Sequence, residues 1–170
     1  APGKGFLAEV CKDWERASDE TGSLCARLVT IRIGLVLSAK GGLLARMLPP
    51  FRLGLGAVFG SGSNWMSWIH QRDLVRLLAA AVEDPRFSGT INGVAPNPVR
   101  QSEFAETIAK ALGRPLFFKV PSPVLKLALG KMSELVLGSQ RASAAKALRA
   151  GFAFEHPALG PAMEELVVRR

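Results

Sequence analysis

The residues best suited to bind a ligand lie in and beside a glycine-rich loop, Phe51 to Ser63. Arg52 lies in this loop, and Asn64 and Trp65 follow it, where they could hydrogen-bond to a ring and stack on it. Arginine suits phosphate because its planar guanidinium donates two hydrogen bonds at once. The glycines allow the backbone to approach a ligand closely. The pattern therefore predicts a loop that binds an anionic, ring-containing molecule.

Two arginines outside the loop, Arg46 and Arg141, could add positive charge to this site. The alternative for each of the three arginines is that it caps a helix end or simply faces solvent. The sequence leaves both interpretations open.

A short strand and a helix follow the loop. The apolar run from Trp65 to Ile69 predicts a strand that stops at His70. We expect Asp73 to be the N-cap of the next helix, because its carboxylate can accept hydrogen bonds from free backbone N–H groups. His70 is expected to fix the turn rather than to act in catalysis, and Trp68 to lie in the core. His156 is expected at the surface.

Composition limits the class of protein. The chain has 170 residues, 48% of them hydrophobic, which is enough for one domain and a smaller lobe. No apolar run approaches the roughly 20 residues of a membrane span, so no membrane partner is expected. Cys11 and Cys25 are too few for a disulfide framework and lack metal-ligand spacing. We expect buried, reduced thiols and a cytoplasmic protein.

The chain is basic, with a formal net charge of +8. Much of the excess lies in one stretch that contains a single acidic residue, Glu134; its basic residues are Lys110, Arg114, Lys119, Lys126, Lys131, Arg141, Lys146 and Arg149. They alternate with apolar residues at helical intervals, which is typical of amphipathic helices rather than of a nucleic-acid-binding tract. An anionic small substrate or an acidic partner domain would explain the charge equally well.

Hydrophobic periodicity and turn residues predict alternating helices and strands. Predicted helices cover residues 6–18, 43–48, 73–83 and 102–113, with a last helix from residue 159; predicted strands cover residues 27–33, 65–69, 89–94 and 116–120. Pro49 and Pro50 are expected to end the second helix, and residues 151–154 to be extended. Strands that alternate with helices indicate an α/β fold with a largely parallel sheet.

Several stretches, in order, match one family. They are FLAEVCKDWERA, VTIRIGLVL, GSGSNWMSWIHQRDL, INGVAPNPVRQSEFAETIAKALGRP, GSQR and GFAFEHP. Together they resemble the C-terminal part of atypical extended short-chain dehydrogenase/reductases of the nucleoside-diphosphate-sugar epimerase family. The resemblance implies the C-terminal part of a Rossmann-like parallel sheet with its substrate-binding region, residues 1–115. It also implies a small, mostly helical cap domain, residues 116–170.

The same resemblance implies ligands and partners. Family members bind NAD or NADP and a nucleotide-sugar-like substrate, and their N-terminal Rossmann portion would be the partner of this chain. The strand before Gly34 leads to the nicotinamide in the family, so Gly34 and Val36 are the expected cofactor contacts. Arg46, Arg52, Asn64, Trp65 and Arg141 are the expected substrate contacts.

The chain also departs from the family. It contains no tyrosine, so it cannot supply the family's Tyr-x-x-x-Lys pair, whose positions align here with Leu7 and Cys11. No glycine-rich turn joins a strand to a helix as in a dinucleotide fingerprint. Met66 occupies a position where related epimerases place a phosphate-binding arginine. We therefore expect no catalytic residue and no tightly bound cofactor in this chain, and no activity alone. The alternative is a non-catalytic ligand-binding or regulatory protein on the same fold.

Overall fold

A computed structural model of the chain describes residues 6–22, 27–130, 133 and 137–167. The helices are α1 (Phe6–Thr21), α2 (Gly42–Arg52), α3 (Gln71–Glu83), α4 (Gln101–Ala111), α5 (Ser122–Leu129), α6 (Ala145–Arg149) and α7 (Leu159–Val167). The strands are β1 (Val29–Ile33), β2 (Leu35–Leu37), β3 (Ala57–Phe59), β4 (Trp65–Met66), β5 (Trp68–His70), β6 (Gly89–Gly93), β7 (Val99–Arg100) and β8 (Phe118–Val120). No helix in these ranges is long and apolar enough to cross a bilayer.

Strand pairing confirms the α/β class. β1 pairs in parallel with β6, β2 with β5, and β3 with β8, whereas β4 and β7 are antiparallel. Parallel strands need a crossover connection; α2 lies in the connection from β2 to β5, and α3 and α4 lie in that from β3 to β8.

Gly34 lies where the strand partner changes. Its backbone N–H donates to Gly93 of β6 at 3.1 Å, and the next amide, that of Leu35, donates to Ser67 before β5 at 2.8 Å. A Cβ at Gly34 would lie 2.6 Å from the Ser67 oxygen and 2.7 Å from a methyl of Val94. Only glycine allows Ser67 and Val94 to come this close, so Gly34 is needed for the strand pairing itself.

Two hydrophobic cores lie on opposite sides of β5. Trp68 is fully buried in a core with α2, α4 and α7, and its indole N–H donates to the Asn97 carbonyl at 3.0 Å. The neighbouring Ile69 packs in a second core with Leu77 of α3 and Phe152. Successive side chains of a strand point to opposite faces, which places β5 between both cores. The expectation that Trp68 belongs to the core is confirmed.

Helix α2 continues through Pro49 and Pro50, so the expectation that they end it is wrong. A proline inside a helix costs about 3 kcal/mol because a hydrogen bond is lost. The same helix buries four side chains, each worth about 1.5–3 kcal/mol, and this outweighs the loss; they are Leu44, Met47, Leu48 and Phe51.

Other boundaries differ from the sequence-based predictions. The segment predicted as a loop, residues 51–63, contains the end of α2 and all of β3. The predicted strand 65–69 is divided between β4 and β5, which have different partners. Cys11 is exposed, so a buried thiol is wrong for this residue, and Cys25 lies outside the described residues.

Candidate functional site

Two guanidinium groups lie against one tryptophan ring. Arg100 of β7 is the direct antiparallel partner of Trp65 in β4, and its guanidinium carbon lies 3.7 Å from the centre of the Trp65 ring. Arg141, which follows α5 by twelve residues, places its guanidinium carbon 4.7 Å from the same ring. We call Trp65, Arg100 and Arg141 the arginine–tryptophan cluster. Each cation–π contact contributes about 0.5–1 kcal/mol at an exposed site.

Backbone and side-chain hydrogen bonds hold Arg141 in this position by tying residues 137–142 to residues 64–67. They are Asn64 Nδ2 to the Leu137 carbonyl (2.8 Å), the Trp65 amide to Ser139 Oγ (3.0 Å), the Gln140 amide to the Trp65 carbonyl (3.3 Å), Ser67 Oγ to the Gln140 carbonyl (2.8 Å) and the Ala142 amide to Ser67 Oγ (2.8 Å). Residues 137–142, which we call the cap segment, are therefore fixed along β4.

No acidic residue in the described part of the chain pairs with the positive charge of the cluster. Among the described residues, neither Arg100 nor Arg141 forms an ion pair, and Arg100 donates to the Ser63 carbonyl. Both side chains are exposed, and guanidinium groups bind phosphate and carboxylate in a bidentate manner. The arrangement is suited to a multiply charged anion.

The other predicted ligand residues have different surroundings. Arg46 and Arg52 are exposed on α2, and neither forms an ion pair with any described residue. The Asn64 amide is occupied in holding the cap segment. Val36 is half-buried in β2. Gly62 has a φ of +75°, and a Cβ there would lie 2.7 Å from Val58, so this loop glycine serves the fold.

A second, largely buried polar cluster has Asp73 at its centre. Asp73 is fully buried and accepts hydrogen bonds from the backbone amides of Glu155 (2.9 Å) and His156 (2.8 Å) and from Arg76 (3.0 Å). The prediction that Asp73 is the N-cap is wrong. His70 is the N-cap of α3, where its Nδ1 accepts from the Arg72 amide at 3.3 Å. His70 therefore fixes the turn, as expected.

His156 is buried, so its expected surface position is also wrong. Its ring stacks on that of His70 with centroids 3.7 Å apart, and its Nε2 lies 2.9 Å from a carboxylate oxygen of Glu165 in α7. His156 Nδ1 lies 3.4 Å from Asp73. The two rings and two carboxylates thereby join α3 to α7.

This second cluster has the donor types of a metal site, since ligand atoms of His70, His156 and Glu165 lie within 4.8 Å of one another. Arg72 already pairs with Glu165 at 2.8 Å, however, and Arg76 pairs with Asp73 at 3.0 Å. A cation would have to displace or oppose these guanidinium groups. The geometry therefore favours a role in holding the cap.

Burial and neighbouring groups lower the pKa values of His70 and Glu165. Burial lowers the pKa of His70 from its ordinary value of 6.5, and the nearby His156 lowers it further. The hydrogen bond with His156 holds the pKa of Glu165 below its ordinary value of 4.5, and Arg72 acts in the same direction. His70 is thus kept neutral, and Glu165 is kept ionised.

Arg100 and His156 belong to the two clusters, and sequence reasoning does not place them there. β4 and β7 have only two residues each, so no periodic pattern indicates that residues 65 and 100 are partners. His156 follows an irregular segment, and its burial depends on Asp73, 83 residues away.

Comparisons with known proteins agree with this architecture. Residues 120–166 match a domain of unknown function, DUF1731. The chain is 40% identical over 165 residues to the chloroplastic "Epimerase family protein SDR39U1 homolog" of Arabidopsis thaliana, covering 97% of this chain and 47% of that protein. It spans about half the length of the curated relatives it matches.

Two solved structures are also similar. The human epimerase family protein SDR39U1 with NADPH has a TM-score of 0.91 and 35% identity, over 100% of this chain and 58% of that one. The nucleoside-diphosphate sugar epimerase from Corynebacterium glutamicum has a TM-score of 0.76 and 33% identity, over 97% of this chain and 31% of that one.

The Asp73 contacts predict a large effect on stability. We expect Asp73→Ala to lower the free energy of unfolding by about 3–5 kcal/mol, because it leaves two buried amides and Arg76 without their acceptor. Chemical denaturation followed by circular dichroism measures this. Asp13→Ala, which removes an exposed carboxylate on α1, should change stability by less than about 0.5 kcal/mol. Equal stabilities of the two variants would contradict the assignment.

The lowered pKa of His70 predicts a pH dependence of stability. Below about pH 6.5 the unfolded chain takes up a proton that the folded chain resists, so the free energy of unfolding falls as the pH falls. Melting temperatures between pH 7.5 and 5.5 should therefore decrease more steeply for the natural chain than for His70→Asn. Asparagine retains an N-cap acceptor and does not titrate. Identical slopes would show that His70 is not the group responsible.

Proposed function

The chain belongs to the epimerase family of extended short-chain dehydrogenase/reductases, whose C-terminal portion it matches, and from this premise we propose its function. It forms the substrate side of an NAD- or NADP-dependent nucleoside-diphosphate-sugar epimerase or oxidoreductase. The chain has no tyrosine and hence no Tyr-x-x-x-Lys pair, so the proposal includes that it is inactive alone. The N-terminal Rossmann portion of a longer parent would be its partner.

The observation that supports this proposal most directly is the arginine–tryptophan cluster. A nucleotide-sugar has a diphosphate with two negative charges between a base and a sugar, and Arg100 and Arg141 offer two guanidinium groups near one ring. Since guanidinium groups already pack against Trp65, the proposed role of this ring is to orient them rather than to stack on a nucleobase. The diphosphate would bridge β7 and the cap segment.

The remaining predicted residues have supporting roles in the proposal. Asn64 fastens the cap segment at its Leu137 carbonyl. Arg46 and Arg52, both exposed and unpaired among the described residues, would extend the positive surface along α2 toward an anionic ligand. The boundary between residues 1–115 and 116–170 stays a prediction.

The nicotinamide cofactor would be held mainly outside this chain. Ser67 and Val94 occupy the space that a side chain at Gly34 would fill, so this glycine leaves no free space for a cofactor on that side. We propose that Gly34 and Val36 supply at most one wall of the nicotinamide site in the parent. When bound, the cofactor would supply hydride transfer; the residues described here would position the substrate and exclude water.

A non-catalytic ligand-binding or regulatory role is the second candidate. The absence of tyrosine favours it, because the anion site needs no acid or base to bind a nucleotide. Turnover of a nucleotide-sugar by the parent would decide between the two functions. For either function we propose a reducing compartment such as the cytoplasm, in which the exposed thiol of Cys11 would persist.

The proposal predicts that both cluster arginines contribute to anion affinity. Arg100→Ala and Arg141→Ala should each weaken the binding of UDP-glucose and of inorganic pyrophosphate about tenfold or more, because each removes charge-assisted hydrogen bonds. Isothermal titration calorimetry of the chain measures both affinities.

Arg149→Ala is the matched control, since Arg149 is an exposed arginine of the cap that lies outside the cluster. It should leave both affinities unchanged. If all three variants bind UDP-glucose as the natural chain does, the cluster is not the substrate site.

A further inference from the structure

Two buried histidine rings lie face to face where the C-terminal part of the chain contacts α3. The rings of His70 and His156 stack with their centroids 3.7 Å apart and an angle of 23° between their planes. The exposed fractions of the two residues are 1% and 8%. Because histidine changes its charge near neutral pH, this contact brings two titratable groups together in a buried position.

A proton added to His70 would have no acceptor among the described residues. In the neutral ring, Nδ1 accepts a hydrogen bond from the Arg72 amide at 3.3 Å and thereby caps α3. Nε2 is buried and has no hydrogen-bond partner in the described part of the chain. A protonated ring would direct an N–H at the N–H of Arg72 and leave its charge without a partner. The contact therefore requires a neutral His70.

The acidic groups around His70 are already opposed by guanidinium groups. They come from α3, from the segment before α7 and from α7 itself; the ion pairs are Asp73 with Arg76 (3.0 Å), Glu155 with Arg76 (3.3 Å) and Glu165 with Arg72 (2.8 Å). On the side of the sheet, the strand partner of His70 is Leu37 of β2, which carries no charge. A positive charge on His70 would thus add to that of Arg72 rather than neutralise an unpaired carboxylate.

His70, and not His156, is the ring whose protonation disrupts the stack. Nε2 of His156 lies 2.9 Å from Glu165 and Nδ1 lies 3.4 Å from Asp73, so a proton on this ring has a carboxylate at either nitrogen. Burial and the nearby His156 both lower the pKa of His70 from 6.5. A histidine in water takes up a proton below that value, whereas the buried ring resists it. As the pH falls, the balance therefore shifts towards a state in which His70 reaches water.

The segment that covers His70 is attached at both ends but weakly held between them. Phe152 is buried in the core around Ile69, and Leu159 in the core around Trp68. Residues 153–158 between them have no regular secondary structure, and His156 is their only fully buried residue. Hydrogen bonds hold this segment; they are those from the Glu155 and His156 amides to Asp73, from Arg76 to the Ala153 carbonyl and from Asn97 to the Pro157 carbonyl.

We propose that residues 153–158 are a pH-sensitive latch, in which protonation of His70 releases His156 and the segment that carries it from α3. The proton binds Nδ1 of His70, the Arg72 amide loses its acceptor, and water replaces His156 over the ring. The hydrogen bonds from the latch to Asp73 open with it. The buried side chains at the two ends of the latch stay in their cores, so the release is local. Acid thus loosens the contact between α3 and the C-terminal part of the chain without unfolding the sheet.

Amide hydrogen exchange of the chain at pH 7.5 and pH 5.0, corrected for the direct effect of pH on the exchange rate, tests the latch. The protection factors of the Glu155 and His156 amides should fall about threefold or more at pH 5.0, and that of the Arg72 amide should fall with them. The amides of Gly34 and Leu35, whose hydrogen bonds join segments of the sheet, should keep their protection. An equal loss at Gly34 and Leu35 would indicate global unfolding and overturn the proposal.

Two variants separate the trigger from the segment that it releases. His70→Asn keeps an acceptor for the cap of α3 but does not titrate, so protection of the latch should no longer depend on pH. Asn97→Ala is the matched control, because it removes the hydrogen bond to the Pro157 carbonyl and leaves both histidines in place. It should lower protection at both pH values and keep the difference between them. The natural difference persisting in His70→Asn would overturn the proposal.

The natural chain alone provides a second measurement. Nuclear magnetic resonance titration of the imidazole C–H signals reports the charge of each ring. His70 should become charged over the same pH range in which the Glu155 and His156 amides lose protection. A His70 that stays neutral throughout this range, or one that becomes charged while the latch amides remain fully protected, would contradict the latch.

Discussion

The carboxylate of Asp73 is the interaction on which the rest of the structure depends. It is fully buried, and an ionised carboxylate is costly to bury unless donors replace its lost water. Two backbone amides and one guanidinium supply those donors, and the amides belong to Glu155 and His156 at the far end of the chain. This carboxylate therefore keeps its donors only when residues 155 and 156 are docked on α3.

The docking of residues 155 and 156 positions elements on both sides of them in the chain. Towards the C-terminus, His156 joins Glu165 and thereby sets α7 against α4, within the core that contains Trp68. Towards the N-terminus, α6 and Phe152 close the second core around Ile69, and residues 137–142 run along β4. Arg141 lies between these anchors, and the hydrogen bonds of residues 137–142 with residues 64–67 hold it against Trp65. We expect that its position also depends on the docking of residues 155 and 156 on Asp73.

The sequence predicts the parts of this arrangement that depend on local patterns. The apolar periodicity of α3 and the β-branched run of β1 are visible in the residues themselves, and Trp68 falls on the buried side as expected. The role of Asp73 cannot be predicted from local patterns. An aspartate near a helix start looks the same whether it caps its own helix or binds a distant segment, and only the fold decides.

Other differences have the same origin. Pro49 and Pro50 normally end a helix, but burial of Leu48 and Phe51 against the core keeps α2 intact. Arg100 becomes a candidate ligand residue because β7 pairs with β4, a contact of two residues on each strand that has no recognisable pattern. Predicted Arg141 and Trp65 do come together, whereas Arg46 and Arg52 have no contact that tests their role. Trp65 and Arg141 are brought together by contacts between distant parts of the chain, and Arg46 and Arg52 have no such contact.

The most direct test of the account is amide hydrogen exchange in Asp73→Asn, which keeps the size of the side chain and removes its charge. If Asp73 fixes the cap, the amides of Glu155 and His156 should exchange faster, and those of Gln140 and Ala142 along β4 should lose protection together with them. Faster exchange confined to residues 155 and 156, with Gln140 and Ala142 as protected as in the natural chain, would contradict it. The arginine–tryptophan cluster would then be formed independently of the Asp73 contacts.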